Sequence, residues 1–320
     1  MGGMTVIPFE EAPETEIFRS LFRGSREAEA FVFFTDPHLF QKGECSEEET
    51  LRRAFEALRF LRDVYISVPA DFIIGGGDWL GSSDTVPEAK KKLGIIDGCM
   101  RELFSDEYYP VLGNHDTNYQ GVDENGGLLG VDRGLSPETL AELLFKRFGR
   151  TYYSFRGKNT RFYVTDSQLD WNATEMNPYK FEQLHWLAGE LIKNDDKHSA
   201  IVPHMWWWNM PDDETAAMTK LLTELICAYN KKSAFICQGT EYDFTDTKGR
   251  IEFVMSGHSH TDWHTAIENC PVFSTTLFRG KKPTFDLMDA DYGARKLYCV
   301  RIGDGESRVF NLDSGNKEAL

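Results

Sequence analysis

The 320 residues contain no apolar run approaching the roughly 18 residues that a membrane-crossing helix requires, so a membrane-embedded protein is excluded. No low-complexity tract and no linker rich in Pro, Gly and Ser interrupts them, which argues against a disordered chain or separate modules on a tether. Six cysteines, Cys45, Cys99, Cys227, Cys237, Cys270 and Cys299, are scattered without a CxxC pair. Neither a disulfide framework nor a short zinc-ribbon spacing is present, and reduced thiols are expected. The chain does not open on a charged stretch followed by an apolar one, so no secretory signal is read and a cytoplasmic location is the expectation. Val6 stands where N-myristoylation wants Ser or Thr, which removes a lipid anchor. Basic charge is short as well: 35 Lys and Arg face 51 Asp and Glu, a formal net charge of −16. That balance opposes a polyanion spread over a broad surface, and long duplex nucleic acid is not expected as a partner. A small phosphate compound stays within reach, because divalent cations can dominate the field inside one cleft.

What is present, 41% hydrophobic and 27% charged residues, suits a soluble globular protein. A single domain over 1–320 is expected, with a motif-bearing core from about 28 to 312. Ala30 to Thr35, Asp71 to Gly75 and Tyr109 to Leu112 are short apolar runs that end in Gly, Asp or His, as buried strands ending at a site would. Ser46 and Glu49 form a capping box before Leu51, Ala54, Phe55, Leu58 and Leu61 recur at helical spacing, so the first crossover reads as β-α-β. A second helix is predicted from about Pro87 to Leu103. Thr160 to Asp166 and Ser199 to Val202 read as strands, and Tyr179 to Ile192 and Glu214 to Tyr229 as helices. From Glu252 onward strands dominate, at Glu252 to Met255, Val272 to Thr276, Lys296 to Arg301 and Ser307 to Asn311. The expected class is α/β, with mixed sheets covered by helices. Asn118 to Gly134 is Gly-rich and aperiodic and reads as a long loop, a kind that is often functional.

The chemistry-bearing residues follow the apolar runs: Asp36 and His38, Asp78, Asn114 with His115 and Asp116, His204, then His258 and His260. Five of the eight histidines fall in this set, at the carboxyl ends of predicted strands, where open α/β sheets build their sites. Two divalent ions roughly 3.5–4 Å apart need a bridging anionic oxygen, imidazoles for each ion and positions left open for water. A bare Asp such as Asp78 suits bridging. A water between such ions is acidic enough to act as hydroxide near neutral pH.

TDPHLF, GGGDWL, VLGNHD, the histidine of IVPHMW and MSGHSH resemble the ordered motif set of the calcineurin-like metallophosphoesterases across residues 35 to 260. One such motif alone is weak evidence; five in order after apolar runs are specific. The resemblance implies two mixed β-sheets packed face to face between helix layers, and hydrolysis of a small phosphate ester as phosphomonoesterase or phosphodiesterase. It implies that Asp36, His38 and His260 bind one metal, that Asp78 bridges, and that Asn114, His204 and His258 bind the other. The metals would be drawn from Mn, Fe and Zn. His115 would be the general acid, with Asp116 orienting its imidazole. Pro37, and Met205 after His204, vary the pattern without removing a ligand. Two other readings are carried: a binding module that keeps the fold without catalysis, and a nuclease on short single strands, which would want a basic groove.

Trp79 follows the bridging Asp, and Trp206, Trp207 and Trp208 follow a ligand, so these rings could line the cleft and favour a flat leaving group, although core packing is the commoner fate of Trp. His264 could touch substrate or a ligand's neighbour, or serve structure alone. His185 and His198 read as structural or solvated, and Lys90, Lys91 and Lys92 as a solvated helix face.

Overall fold

The computed structural model describes residues 13–22, 27–40, 47–81, 84–123, 125–127, 134–167, 178–206, 213–278, 283–318 and 320. Elements are numbered in chain order. One sheet has seven strands in the order β15 (Lys317–Glu318), β14 (Arg308–Asn311), β13 (Lys296–Ile302), β12 (Phe285–Asp291), β1 (Ala28–Phe34), β2 (Phe72–Gly75) and β3 (Tyr108–Pro110). The three early strands run parallel, and β12 pairs antiparallel with β1, from Ala28 opposite Asp291 to Phe33 opposite Asp286. The other sheet has six strands in the order β10 (Trp263–Ile267), β11 (Cys270–Ser274), β9 (Arg250–Ser256), β6 (His198–Pro203), β5 (Thr160–Thr165) and β4 (Tyr153–Arg156). Its inner four are parallel and its two edges antiparallel. A separate hairpin joins β7 (Ala234–Cys237) to β8 (Thr240–Asp243).

Every residue of β1 and β2 is buried, as expected for strands covered on both faces. Between the sheets the contact is aromatic: Phe31 and Phe72 of the first sheet each meet Phe162 of the second at 5.3 Å, edge to face. The outer face of the first sheet is covered by helices α2 (Glu47–Tyr65) and α3 (Val86–Phe104), whose Leu58, Leu61, Leu93, Ile96 and Met100 join the same core. Helices α5 (Pro178–Lys193) and α6 (Asp213–Lys231) cover the second sheet with Leu184, Leu187, Leu191, Leu225 and Ile226. Layer order is therefore helix, sheet, sheet, helix, the arrangement that the resemblance implies.

Helix α3 starts at a capping box: Glu88 accepts hydrogen bonds from the Thr85 N–H at 2.9 Å and the Thr85 hydroxyl at 2.8 Å. Ser46, the cap expected for α2, lies outside the described residues; Glu49 accepts from Arg52 and Arg53. Part of the Gly-rich stretch from Asn118 to Gly134 also lies outside them. Lys90 and Lys91 are exposed as expected, whereas Lys92 is not a solvated lysine: its Nζ sits 2.6 Å from the buried Asp84 carboxylate. Cys99, Cys227, Cys237, Cys270 and Cys299 are unbonded thiols; Cys45 is not among the described residues. No described helix is long and apolar enough to cross a membrane.

One buried acid titrates against the fold. Asp289 on β12 is 2% exposed, its Oδ1 has no hydrogen-bond partner among the described residues, and burial with Asp291 nearby raises its pKa to about 7. A raised carboxyl pKa means that the folded state holds the proton more tightly than the unfolded one, so stability falls as pH rises from about 4 to about 7. Asp289→Asn is expected to be near neutral at pH 4 and to stabilise at pH 8 by on the order of 2 kcal/mol. Denaturant melts at both pH values test this; a gain that does not grow with pH would show that the carboxyl is not the cause.

Candidate metal centre

The site lies where the carboxyl ends of strands from both sheets converge. After β1 and β2 the two loops continue the parallel pairing beyond the strands: Asp36 N–H donates to Gly77 O at 3.0 Å, His38 N–H to Asp78 O at 2.9 Å and Leu39 N–H to Trp79 O at 2.8 Å. Asp36, His38, Asp78, His258 and His260 adopt left-handed backbone, with φ between 41° and 65°. These five are among twelve non-glycine residues that do so in the described chain, so strained turns concentrate where side chains are swung toward one point. Gly113 and Gly257 allow the approach: a Cβ on the former would strike Asp78, and on the latter Thr35 and Asp36.

Two groups of side chains could each hold a cation, Asp36, His38, Asp78 and His260 in one and Asp78, His204 and His258 in the other, so Asp78 is common to both. His38 directs Nδ1 to the Leu80 carbonyl at 3.1 Å and His204 directs Nδ1 to the Gly76 carbonyl at 2.7 Å. With those Nδ1 protons donated, both rings turn Nε2 toward the centre. His38 Nε2 lies 3.0 Å from His260 Nε2, and His260 Nε2 lies 3.2 Å from Asp36 Oδ1. Asn114 Oδ1 faces His204 Nε2 at 3.1 Å and His258 Nδ1 at 2.8 Å. In the middle, Asp78 Oδ2 is buried with no hydrogen-bond partner among the described residues, ringed by His204 Nε2 at 3.3 Å, His38 Nε2 at 3.8 Å and His115 Nε2 at 3.9 Å. Atoms that share a cation at about 2.1 Å each stand roughly 3–3.5 Å apart, so the donor set fits the ions that the resemblance implies.

Charge tells the same story. Burial lowers the pKa of His38 and of His115, and takes His258 down to about 4 with His204 beside it, so burial opposes charge on each of these imidazoles. Burial also opposes charge on His204, but Asp78 and Asp36 outweigh it and raise that ring to about 10. The carboxylates thus draw positive charge into a fully buried position.

His115 is half-buried beside the centre; its N–H donates to Asp78 Oδ1 at 2.8 Å and its ring lies 4.8 Å from that of His38. The fully buried Asp116 carboxylate accepts from three backbone N–H groups, those of Asp78 at 3.1 Å, Gly113 at 2.8 Å and Leu80 at 3.1 Å, and so clamps the loops after β2 and β3 together. Burial and Asp78 lift its pKa to about 7 against those donors.

Trp79 is removed from the cleft. It is fully buried between Phe34 and Tyr108, with Nε1 donating to Val111 O at 3.2 Å, because the left-handed turn at Asp78 sends the next side chain into the core. Trp206 is 8% exposed and packs with Tyr163, Leu184 and Leu225 behind the second sheet. Trp207 and Trp208 lie outside the described residues. His264 is on the edge strand β10, 6.0 Å from Phe310, and belongs to neither ligand group. His185 meets the Tyr242 hydroxyl at 2.7 Å and His198 the Glu252 carboxylate at 2.7 Å, both as structural groups.

Sequence patterns missed the support behind the His258–His260 loop. Asp262 is gripped by Arg301, through Nη1 at 3.0 Å and Nη2 at 2.8 Å, and approached by Arg308 at 3.2 Å. Both arginines are 2% exposed and share the fully buried Asp286, at 2.7 Å from Arg301 Nε and 2.6 Å from Arg308 Nη2. Thr276 closes the loop, its N–H donating to Asp262 and its hydroxyl to His260 O. The first sheet thereby braces candidate ligands carried by the second.

The profile of the calcineurin-like phosphoesterases matches residues 30–262, which is most of the chain and contains every strand end of the site. The chain belongs to the calcineurin-like phosphoesterase family. Among solved structures it is similar to a dimetal phosphatase from Danio rerio, at 13% identity and a TM-score of 0.52, over 90% of this chain and 99% of that one. It is also similar to a phosphopantetheinyl hydrolase from Mycobacterium tuberculosis, at 12% identity and a TM-score of 0.42, over 78% and 90% of the two chains. At such identities the zebrafish likeness speaks for the phosphoesterase fold alone. No curated protein matches the chain.

Proposed function

We propose that this calcineurin-like phosphoesterase hydrolyses a small phosphate ester at a two-metal centre, with Asp36, His38 and His260 holding one ion, Asn114, His204 and His258 the other, and Asp78 between them. The observation that carries this is Asp78 Oδ2, an anionic oxygen buried at the junction of both ligand groups and without a hydrogen-bond partner among the described residues. Bound there, the ions would supply Lewis acidity for the phosphoryl group and an acidified water. Imidazole, carboxylate and amide oxygen donors without thiolate suit Mn, Fe or Zn. His115 Nε2 then gives a proton to the leaving oxygen, while Asp116 holds the loop that carries His115. The net charge of −16 favours a small ester over a polyanion.

Protein loaded with Mn and washed should show two ions per chain by elemental analysis and should cleave nitrophenyl phosphate or bis-nitrophenyl phosphate. Loaded protein that cleaves neither ester, or that retains no metal, would overturn the reading. The brace predicts a graded effect. Arg301→Lys keeps the charge but loses the fork on Asp262, and cation affinity is expected to drop roughly 10–100-fold, the usual cost of disturbing a group that orients a ligand. Competition with a chromophoric chelator measures it, and unchanged affinity would show the brace to be idle.

A further inference from the structure

We infer that Tyr119 is a catalytic residue that donates its hydroxyl proton to a phosphoryl oxygen of the substrate, an assignment that rests on the hydrolase reading above. The residue stands just past the short 3-10 turn His115–Thr117, where Asn118 adopts left-handed backbone, with φ at 57°, and redirects the chain. The turn is fixed: Asn118 N–H donates to His115 O at 2.9 Å, Gly121 N–H to Asn118 O at 2.9 Å, and the buried Asn118 amide to Asp84 O at 3.0 Å. Tyr119 is accordingly held half-buried beside His115, with ring centroids 6.0 Å apart and the planes tilted by 53°.

The direction of the hydroxyl proton follows from its neighbours. Gln120 Nε2 donates to the Tyr119 oxygen at 2.6 Å. A phenol oxygen that accepts from this amide turns its one proton away from it, free to donate outward. Beside His115 and the junction of the ligand groups, the acceptor that fits is an anionic oxygen, which makes a short, charge-assisted bond. No bond of the substrate is broken by this residue; it binds charge on the phosphoryl group in the ground and transition states.

Tyr119→Phe removes the proton and keeps the ring. Inhibition of the metal-loaded protein by inorganic phosphate should weaken, and kcat/KM should fall, each roughly 10–10²-fold, the size of one hydrogen bond to a charged group. Because the contact is to a non-leaving oxygen, the loss should be the same for alkyl and aryl esters, and both ions should be retained. Tyr119→3-fluorotyrosine, a sharper donor of the same shape, should tighten phosphate, which a purely packing role would not produce. Unchanged phosphate affinity in Tyr119→Phe, a loss that scales with the leaving group, or departure of an ion would each overturn the assignment. Should the wild-type chain bind two ions yet cleave no ester, the hydrolase reading fails, and phosphate titration by calorimetry still decides the role of Tyr119.

Discussion

Asp78→Asn is expected to fold, to lose the cation pair and to reduce hydrolysis by at least about 10³-fold, several kcal/mol of charge stabilisation at about 1.4 kcal/mol per decade. The substitution is nearly isosteric, and Asp78 Oδ1 can still be replaced by an amide oxygen that accepts from His115 N–H. What disappears is the anion at the centre. Asp36 would remain as the one carboxylate against the imidazoles of His38, His204, His258 and His260, too little negative charge for two cations. Elemental analysis after washing separates the outcomes: two ions per chain with full turnover in the variant would end the bridging role.

His115→Ala should instead keep both ions, because His115 stands beside the ligand groups and belongs to neither. Its expected loss depends on the ester. A poor leaving group departs as a strong base and needs the proton, so alkyl esters should slow by about 10²–10⁴-fold, whereas nitrophenyl esters, which leave unaided, should slow less. Rates plotted against leaving-group pKa for both proteins give the answer. An equal loss across the series would leave His115 as a charge stabiliser, and a lost ion would make it a ligand. Tyr119→Phe, with its flat dependence, provides the contrast within the same cleft.

Strand ends that carry the centre were legible because apolar runs stop abruptly at Asp, Asn and His, a pattern with a physical cause in buried parallel strands. The helices α3, α5 and α6 were legible from spacing within one or two residues of their ends. β12 was not read, although it lies at the middle of the first sheet, because FDLMDAD places Asp286 and Asp289 where a buried strand should be apolar. Asp286 is tolerated there through Arg301 and Arg308, partners 15 and 22 positions away that no local pattern announces. Short edge strands such as β4 and β10 carry too few residues to show a period. The role expected for Trp79 failed because adjacency in sequence says nothing of direction after a left-handed turn, and a carboxylate bound to three backbone amides, as at Asp116, is no more visible in residue order.

The pairing of β1 with β12 has a consequence for the order in which the protein can be made. Ala28 meets Asp291, so β1 waits after leaving the ribosome for a partner strand 263 positions later. At roughly 5–20 residues per second that delay is on the order of 13–50 s. Until then β1 has an open edge, and the arginines that brace the His258–His260 loop have not yet been synthesised. A nascent chain that has already emerged through His260 carries all seven candidate ligands and still lacks the strand that closes the sheet beneath them. Such a late-closing topology makes the interval between the last ligand and the last strand the period of greatest exposure to misassociation and premature metal capture.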